Sequence, residues 1–125
     1  MSEPNFEKKK ILCVEDDQDT CEMLSFLLSD YQLIFADTIK KALEVFKKEH
    51  FDICLLDNRL SDGDGTDLCR KIRAINSSIP IIFASGVAYD DEIQKALDAG
   101  AQAYLVKPYS LDELLKVVKE LTDSK

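Results

Sequence analysis

Short apolar runs that end in a charged residue recur along this chain. Ile11-Leu12-Cys13-Val14 runs into Glu15-Asp16-Asp17, Ile53-Cys54-Leu55-Leu56 into Asp57, and Ala103-Tyr104-Leu105-Val106 into Lys107-Pro108. Runs of this length read as buried parallel strands. The stretches between them carry apolar residues at helical spacing instead. A first strand over about 10–15 feeds a helix near 18–29 with Cys21, Leu24, Leu27 and Leu28 on one face. A second strand over about 32–36 precedes a helix capped by Asp37 or Thr38, with Ile39, Ala42, Leu43 and Phe46 on its apolar side. The third strand ends at Asp57, and a loop rich in turn formers runs from Asn58 to Gly65 before a helix through Leu68, Ile72 and Ile75.

Ile79 to Ala84 is the fourth strand, followed by Ser85-Gly86. A helix near 90–99 shows Ile93, Ala96 and Leu97, and Gly100 is a natural stop just past its end. After a fifth strand over about 102–106, Ser110 and Glu113 form a capping box. The last helix then turns Leu111, Leu114, Leu115, Val118 and Leu121 to one side. Strict alternation with short connections implies an α/β fold, a five-stranded parallel sheet with five helices on its two faces in three layers. The expected strand order is 2-1-3-4-5, which sets strands one and three side by side.

Groups just beyond the carboxyl ends of strands in an open sheet share one crevice. Glu15, Asp16, Asp57 and Lys107 therefore meet, although they are far apart in sequence. A Gly-rich turn after the first strand would cradle a nucleotide phosphate, but here that turn is Glu15-Asp16-Asp17-Gln18 and repels anions. Two carboxylates ~5 Å apart repel by ~3 kcal/mol at an effective dielectric of ~20. Asp17 and Asp19 are accounted for by the dipole of the helix they precede. Glu15, Asp16 and Asp57 together are not, and a hard cation resolves their repulsion. Mg²⁺ takes oxygen ligands at ~2.1 Å and commonly binds one or two carboxylates plus a phosphate; Mn²⁺ is compatible with the same donors. Lys107 offers a compact ammonium for a phosphate oxygen, and Ser85 a hydroxyl donor beside the Gly86 amide. An Asp carboxylate can act as nucleophile toward a phosphoryl group. The Lys107–Pro108 bond is expected to be cis, because Lys107 must point into the crevice while the chain turns toward Ser110.

The chain has 125 residues, 46% hydrophobic and 32% charged, which suits one domain over 1–125 with its core at about 10–122. A net charge of −8 argues against direct nucleic-acid binding. The start, Met-Ser-Glu-Pro-Asn, lacks the apolar centre of a signal peptide, so a cytoplasmic protein without membrane insertion is expected. Cys13, Cys21, Cys54 and Cys69 show no metal-ligand spacing and read as structural thiols. His50 lies in the polar end of a helical segment, where a cation suits the carboxyl terminus.

Taken together, these positions resemble a response-regulator receiver domain of two-component signalling over about Lys10 to Leu121. The resemblance implies a flavodoxin-like doubly wound fold. It implies Asp57 as phosphoacceptor, Glu15, Asp16, Asp57 and the backbone carbonyl of Arg59 as Mg²⁺ ligands, and catalytic support from Lys107 and Ser85. Ser85 and Tyr104 would be the switch pair: Ser85 draws the Ser85–Val87 loop toward the phosphoryl group, and Tyr104 moves into the space vacated. The phosphoryl donor would be a histidine kinase or histidine phosphotransfer protein. The chain would be no enzyme beyond its own phosphorylation and dephosphorylation. With no room for a fused output module, it would signal to a downstream protein partner through residues 90–121, a face compatible with a homodimer.

Ser61 stands where the family usually has Pro, which bears on loop stiffness. Gly86 replaces the usual Ala, and Asn58 an apolar residue. Two rival motifs fit poorly. Asp62-Gly-Asp-Gly-Thr66 matches the DxDGT of haloacid-dehalogenase-like phosphatases, yet the strand has already ended at Asp57, so a turn and helix cap is the better reading. An EF-hand loop fails because Asp67 and Arg73 stand at its Gly and Glu positions. A degenerate receiver that only binds partners is at odds with the intact acids and Lys107.

Overall fold

The computed structural model describes residues 8–86 and 89–123; the Met1–Asn5 start and Val87 lie outside them. In chain order the elements are β1 (Lys10–Val14), α1 (Gln18–Leu27), β2 (Gln32–Ala36), α2 (Ile39–Lys48), β3 (Ile53–Leu56), β4 (Arg59–Leu60), β5 (Gly63–Asp64), α3 (Gly65–Ile75), β6 (Ile81–Ser85), α4 (Asp90–Asp98), β7 (Ala103–Val106) and α5 (Leu111–Asp123). The main sheet is parallel in the order β2-β1-β3-β6-β7, which is the expected 2-1-3-4-5 once β4 and β5 are set aside.

Those two short strands were expected as plain loop. They pair antiparallel, Arg59 with Asp64 and Leu60 with Gly63, and make a small hairpin directly after the third strand. The strand expected from Ile79 begins at Ile81, because the side chain of Asn76 takes the amides of Ser78 and Ile79 into a turn and Pro80 brings no amide of its own.

Alternation along the strands divides the core between the two faces of the sheet. Leu12, Val14, Cys54, Leu56, Ile81 and Phe83 pack with α2, α3 and α4. Ile11, Cys13, Ile53, Leu55, Ile82 and Ala84 pack with Leu24 and Leu28 on the α1 side and with Leu114 and Val118 of α5. Helices therefore cover both faces, and β3, β6 and all of β1 past Lys10 are buried. Three residues expected on apolar faces are instead partly open: Ile75 at the end of α3, Leu97 near the end of α4 and Leu111 at the start of α5. Each sits in a terminal turn, beyond the reach of the sheet.

Caps fix where the helices begin. Thr38, not Asp37, caps α2 through the Lys41 amide at 3.0 Å. Ser110 and Glu113 bond each other's amides at 3.0 Å, completing the expected capping box. Gly100, at φ +115°, ends α4 as expected, and a Cβ there would sit 2.9 Å from Arg73 Nε. His50 lies beyond the last residue of α2, solvent-exposed and 3.3 Å from Asp52 Oδ1.

Candidate functional site

Register along the sheet carries the acids to one place. Val14 pairs with Leu56, the Asp57 amide donates to the Val14 carbonyl at 3.0 Å, and the Glu15 amide donates to the Ala36 carbonyl at 3.0 Å. Glu15, Asp16 and Asp57 consequently offer carboxylate oxygens that all lie within 4.8 Å of one another. Glu15 is buried, Asp57 is partly buried and Asp16 faces solvent. At this spacing a pair of ionised carboxylates repels by about 3 kcal/mol at an effective dielectric of ~20 when no counter-charge intervenes.

Lys107, delivered by the end of β7, supplies part of that counter-charge. Its Nζ lies 3.2 Å from Glu15 Oε1, while the Asp17 amide donates to Glu15 Oε2 at 3.1 Å. Burial and then Asp57 push the Glu15 carboxyl above the usual range, against the opposing pull of the Asp17 amide and Lys107. The Asn58 amide donates to Asp57 Oδ1 at 2.7 Å. The Lys107–Pro108 bond is cis.

The loop after Asp57 is held by contacts that local sequence reading missed. A Cβ on Gly65 would lie 2.2 Å from the Asp57 carbonyl oxygen and 3.0 Å from Phe83 Cε2, and the Gly65 amide donates to the Asn58 carbonyl at 2.7 Å. Only glycine lets the start of α3 press against the backbone of Asp57. One signal was present: Gly65 stands where the turn formers give way to the apolar helical pattern, a place where glycine commonly marks a close backbone approach. Asp62 belongs to a cap, but not of its own helix. Its Oδ1 and Oδ2 accept from the Ile39 and Lys40 amides at 2.8 and 3.1 Å, at the start of α2. Arg59 opens the β4–β5 hairpin, with its side chain exposed.

Ser85 is buried at the end of β6, and its carbonyl accepts from the Lys107 amide at 2.8 Å. Tyr104 stacks on Phe83 with centroids 5.8 Å apart and 3° between planes. Burial raises the Tyr104 phenol, and a hydrogen bond with the Ser85 side chain works against that rise. Serine and tyrosine are therefore already joined. A Cβ on Gly86 would meet nothing within 4 Å among the described residues, so packing does not require glycine there. All four cysteines are free thiols; burial pushes the Cys13 thiol up and that of Cys54 up to about 12, as inert structural residues require.

Residues 11–119 match the family model of the response regulator receiver domain. The chain belongs to that family. Among curated proteins it is 34% identical over 116 residues to the transcriptional regulatory protein ZraR of Klebsiella oxytoca, covering 91% of this chain and 26% of that protein. To the nisin biosynthesis regulatory protein NisR of Lactococcus lactis it is 34% identical over 112 residues, covering 88% of this chain and 48% of that one. The chain thus spans about a quarter to a half of the length of these relatives. Among solved structures, a two-component response regulator from Clostridium difficile superimposes with a TM-score of 0.87 at 33% identity, covering 91% of this chain and 95% of that one. A CheY-like receiver domain protein from Methanospirillum hungatei gives 0.89 at 30% identity, covering 94% and 96%.

This receiver domain is a phosphoacceptor signalling unit of two-component systems. Its acid cluster suits a hard divalent cation: the oxygen donors are of the right kind, and their mutual repulsion is what a dication relieves. Among its described residues, no helix is long and apolar enough to cross a membrane.

Proposed function

We propose that Asp57 is the phosphoacceptor and that Glu15, Asp16, Asp57 and the Arg59 carbonyl hold Mg²⁺ beside it, Mn²⁺ being compatible with the same oxygens. The observation that carries this reading is the convergence of three carboxylates within 4.8 Å, with the Lys107 ammonium 3.2 Å from one of them. An Asp57 oxygen attacks the phosphorus of a phosphohistidine, borne by a histidine kinase or a histidine phosphotransfer protein. The new O–P bond forms as the P–N bond breaks, and its electron pair returns to the imidazole, which takes up a proton from solvent. When bound, the cation supplies charge stabilisation for the transferring oxygens. Lys107 leaves Glu15 for a phosphoryl oxygen, and the Ser85 hydroxyl donates to another.

Because Tyr104 bonds to Ser85, a movement of Ser85 toward the phosphoryl group carries the tyrosine with it. The affected surface is residues 90–121, offered to a downstream protein partner or to a second copy of the chain. Such a switch works only through differential partner affinity, typically ~1–3 kcal/mol of coupling.

Incubation with acetyl phosphate and Mg²⁺ should add one phosphoryl group, labile at alkaline pH as an acyl phosphate is. Full labelling of Asp57→Asn would overturn the assignment. Addition of beryllofluoride should shift amide resonances from the crevice out to residues 90–121; shifts confined to the crevice would overturn the switch route.

A further inference from the structure

Tyr109 carries the single side-chain polar atom among the described residues that is both buried and unpartnered: its hydroxyl is closed off from solvent and bonds to no protein group. A buried hydroxyl without a partner is less stable than the same ring without the oxygen, so such a group calls for an explanation. Its surroundings supply one. The tyrosine lines a small pocket together with Glu15, Asp57, Cys13, Leu55 and Ala84. The space open to the centre of a water there is about 10 Å³, close to the room that one water needs. A cavity that small and partly polar is of the kind that ordered water fills, provided two to four polar partners face it. Tyr109, Glu15 and Asp57 are three. Glu15 and Asp57 are also the carboxylates whose charges act on the hydroxyl, after burial itself.

We infer that one buried water, held by Tyr109 Oη, links Glu15 and Asp57 from beneath, making Tyr109 a positioning residue for the cation-binding acids. The phenol donates its proton to the water oxygen. The water donates one hydrogen to each carboxylate, placing positive charge between two groups that repel. Glu15 keeps its existing bonds from Lys107 and the Asp17 amide, since each carboxylate oxygen has a second lone pair. Three hydrogen bonds are the usual complement of a buried water. The role rests on the cation reading of the preceding section, because what Tyr109 positions is that site.

Tyr109→Phe removes the oxygen and keeps the ring. A high-resolution crystal structure of the wild type should show an ordered water within hydrogen-bond distance of Tyr109 Oη and of a carboxylate oxygen, and Tyr109→Phe should lose it. Calorimetric titration with MgCl₂ should find the variant's affinity lowered by roughly 3- to 10-fold, at or below the low end of what outer partners of metal ligands contribute. A merely structural tyrosine would lower the melting temperature in EDTA while leaving Mg²⁺ affinity alone. No water at Tyr109 Oη, or unchanged Mg²⁺ affinity in Tyr109→Phe beside a normally binding wild type, overturns the inference alone. A wild type that takes up no Mg²⁺ overturns the cation reading, and the positioning role with it.

Discussion

Lys107 and Glu15 form an ion pair across 92 residues of sequence, with the ammonium 3.2 Å from a carboxylate that is almost wholly buried. The lysine proposed to meet a phosphoryl oxygen is therefore occupied in the unphosphorylated chain, by an acid proposed to hold the cation. Lys107→Ala leaves that acid without its counter-charge. Urea denaturation in EDTA should show a loss of about 1–2 kcal/mol, above a surface pair and below a fully buried one. Saturating Mg²⁺ should narrow the gap between variant and wild type.

Neutralising an acid should act in the opposite direction. Asp57→Asn keeps an oxygen for the Asn58 amide and removes one of the crowded charges, so stability in EDTA should rise by ~1–3 kcal/mol. Asp16→Asn should give the smaller gain, since Asp16 is exposed and water screens it. Millimolar Mg²⁺ should raise the melting temperature of the wild type more than that of Asp16→Asn. Equal increments would place the cation elsewhere.

The raised Glu15 carboxyl gives metal-free stability an unusual pH dependence. Between its ordinary value of 4.5 and its higher folded value, the folded chain holds the proton more tightly than the unfolded chain does. Stability from this group therefore increases as pH falls through that window. Asp17, lowered chiefly by the Thr20 hydroxyl, and Asp62, lowered chiefly by the Ile39 amide, behave oppositely, and their contribution disappears as pH falls below the ordinary 3.8. Melting temperatures in EDTA should thus rise on mild acidification and fall at lower pH. Glu15→Gln should abolish the rise and keep the fall.

Gly65→Ala should be among the most damaging single-methyl additions in the chain. Its Cβ would overlap the Asp57 carbonyl at 2.2 Å, and backbone cannot step aside as a side-chain tip can. A destabilisation of about 2–3 kcal/mol is expected, with faster amide exchange at Asp57 and Asn58. Wild-type exchange at those amides would show that the turn accommodates the methyl.

Local spacing made the sheet and its crevice legible. Apolar runs of four to five residues marked the strands, and the acids and Lys107 fell at their carboxyl ends as parallel topology requires. What escaped was set by contacts between distant segments. Nothing near Asp62 announces that its partners are the amides of Ile39 and Lys40, because a local helix and the caps it needs lie only three residues away. The β4–β5 hairpin is too short to show any alternation. Lys107 reads as a ligand for phosphate from its chemistry alone, whereas its partner in this state is Glu15.

The bond from Asp62 into α2 also answers for the missing proline at Ser61. A ring would stiffen the loop by restricting the loop's own torsions; a carboxylate seated on two amides stiffens it by lashing it to a neighbour. Stiffness of the second kind is shared property. Shifting the loop beside Asp57 breaks two bonds to the first turn of α2, and fraying that turn releases the loop in return.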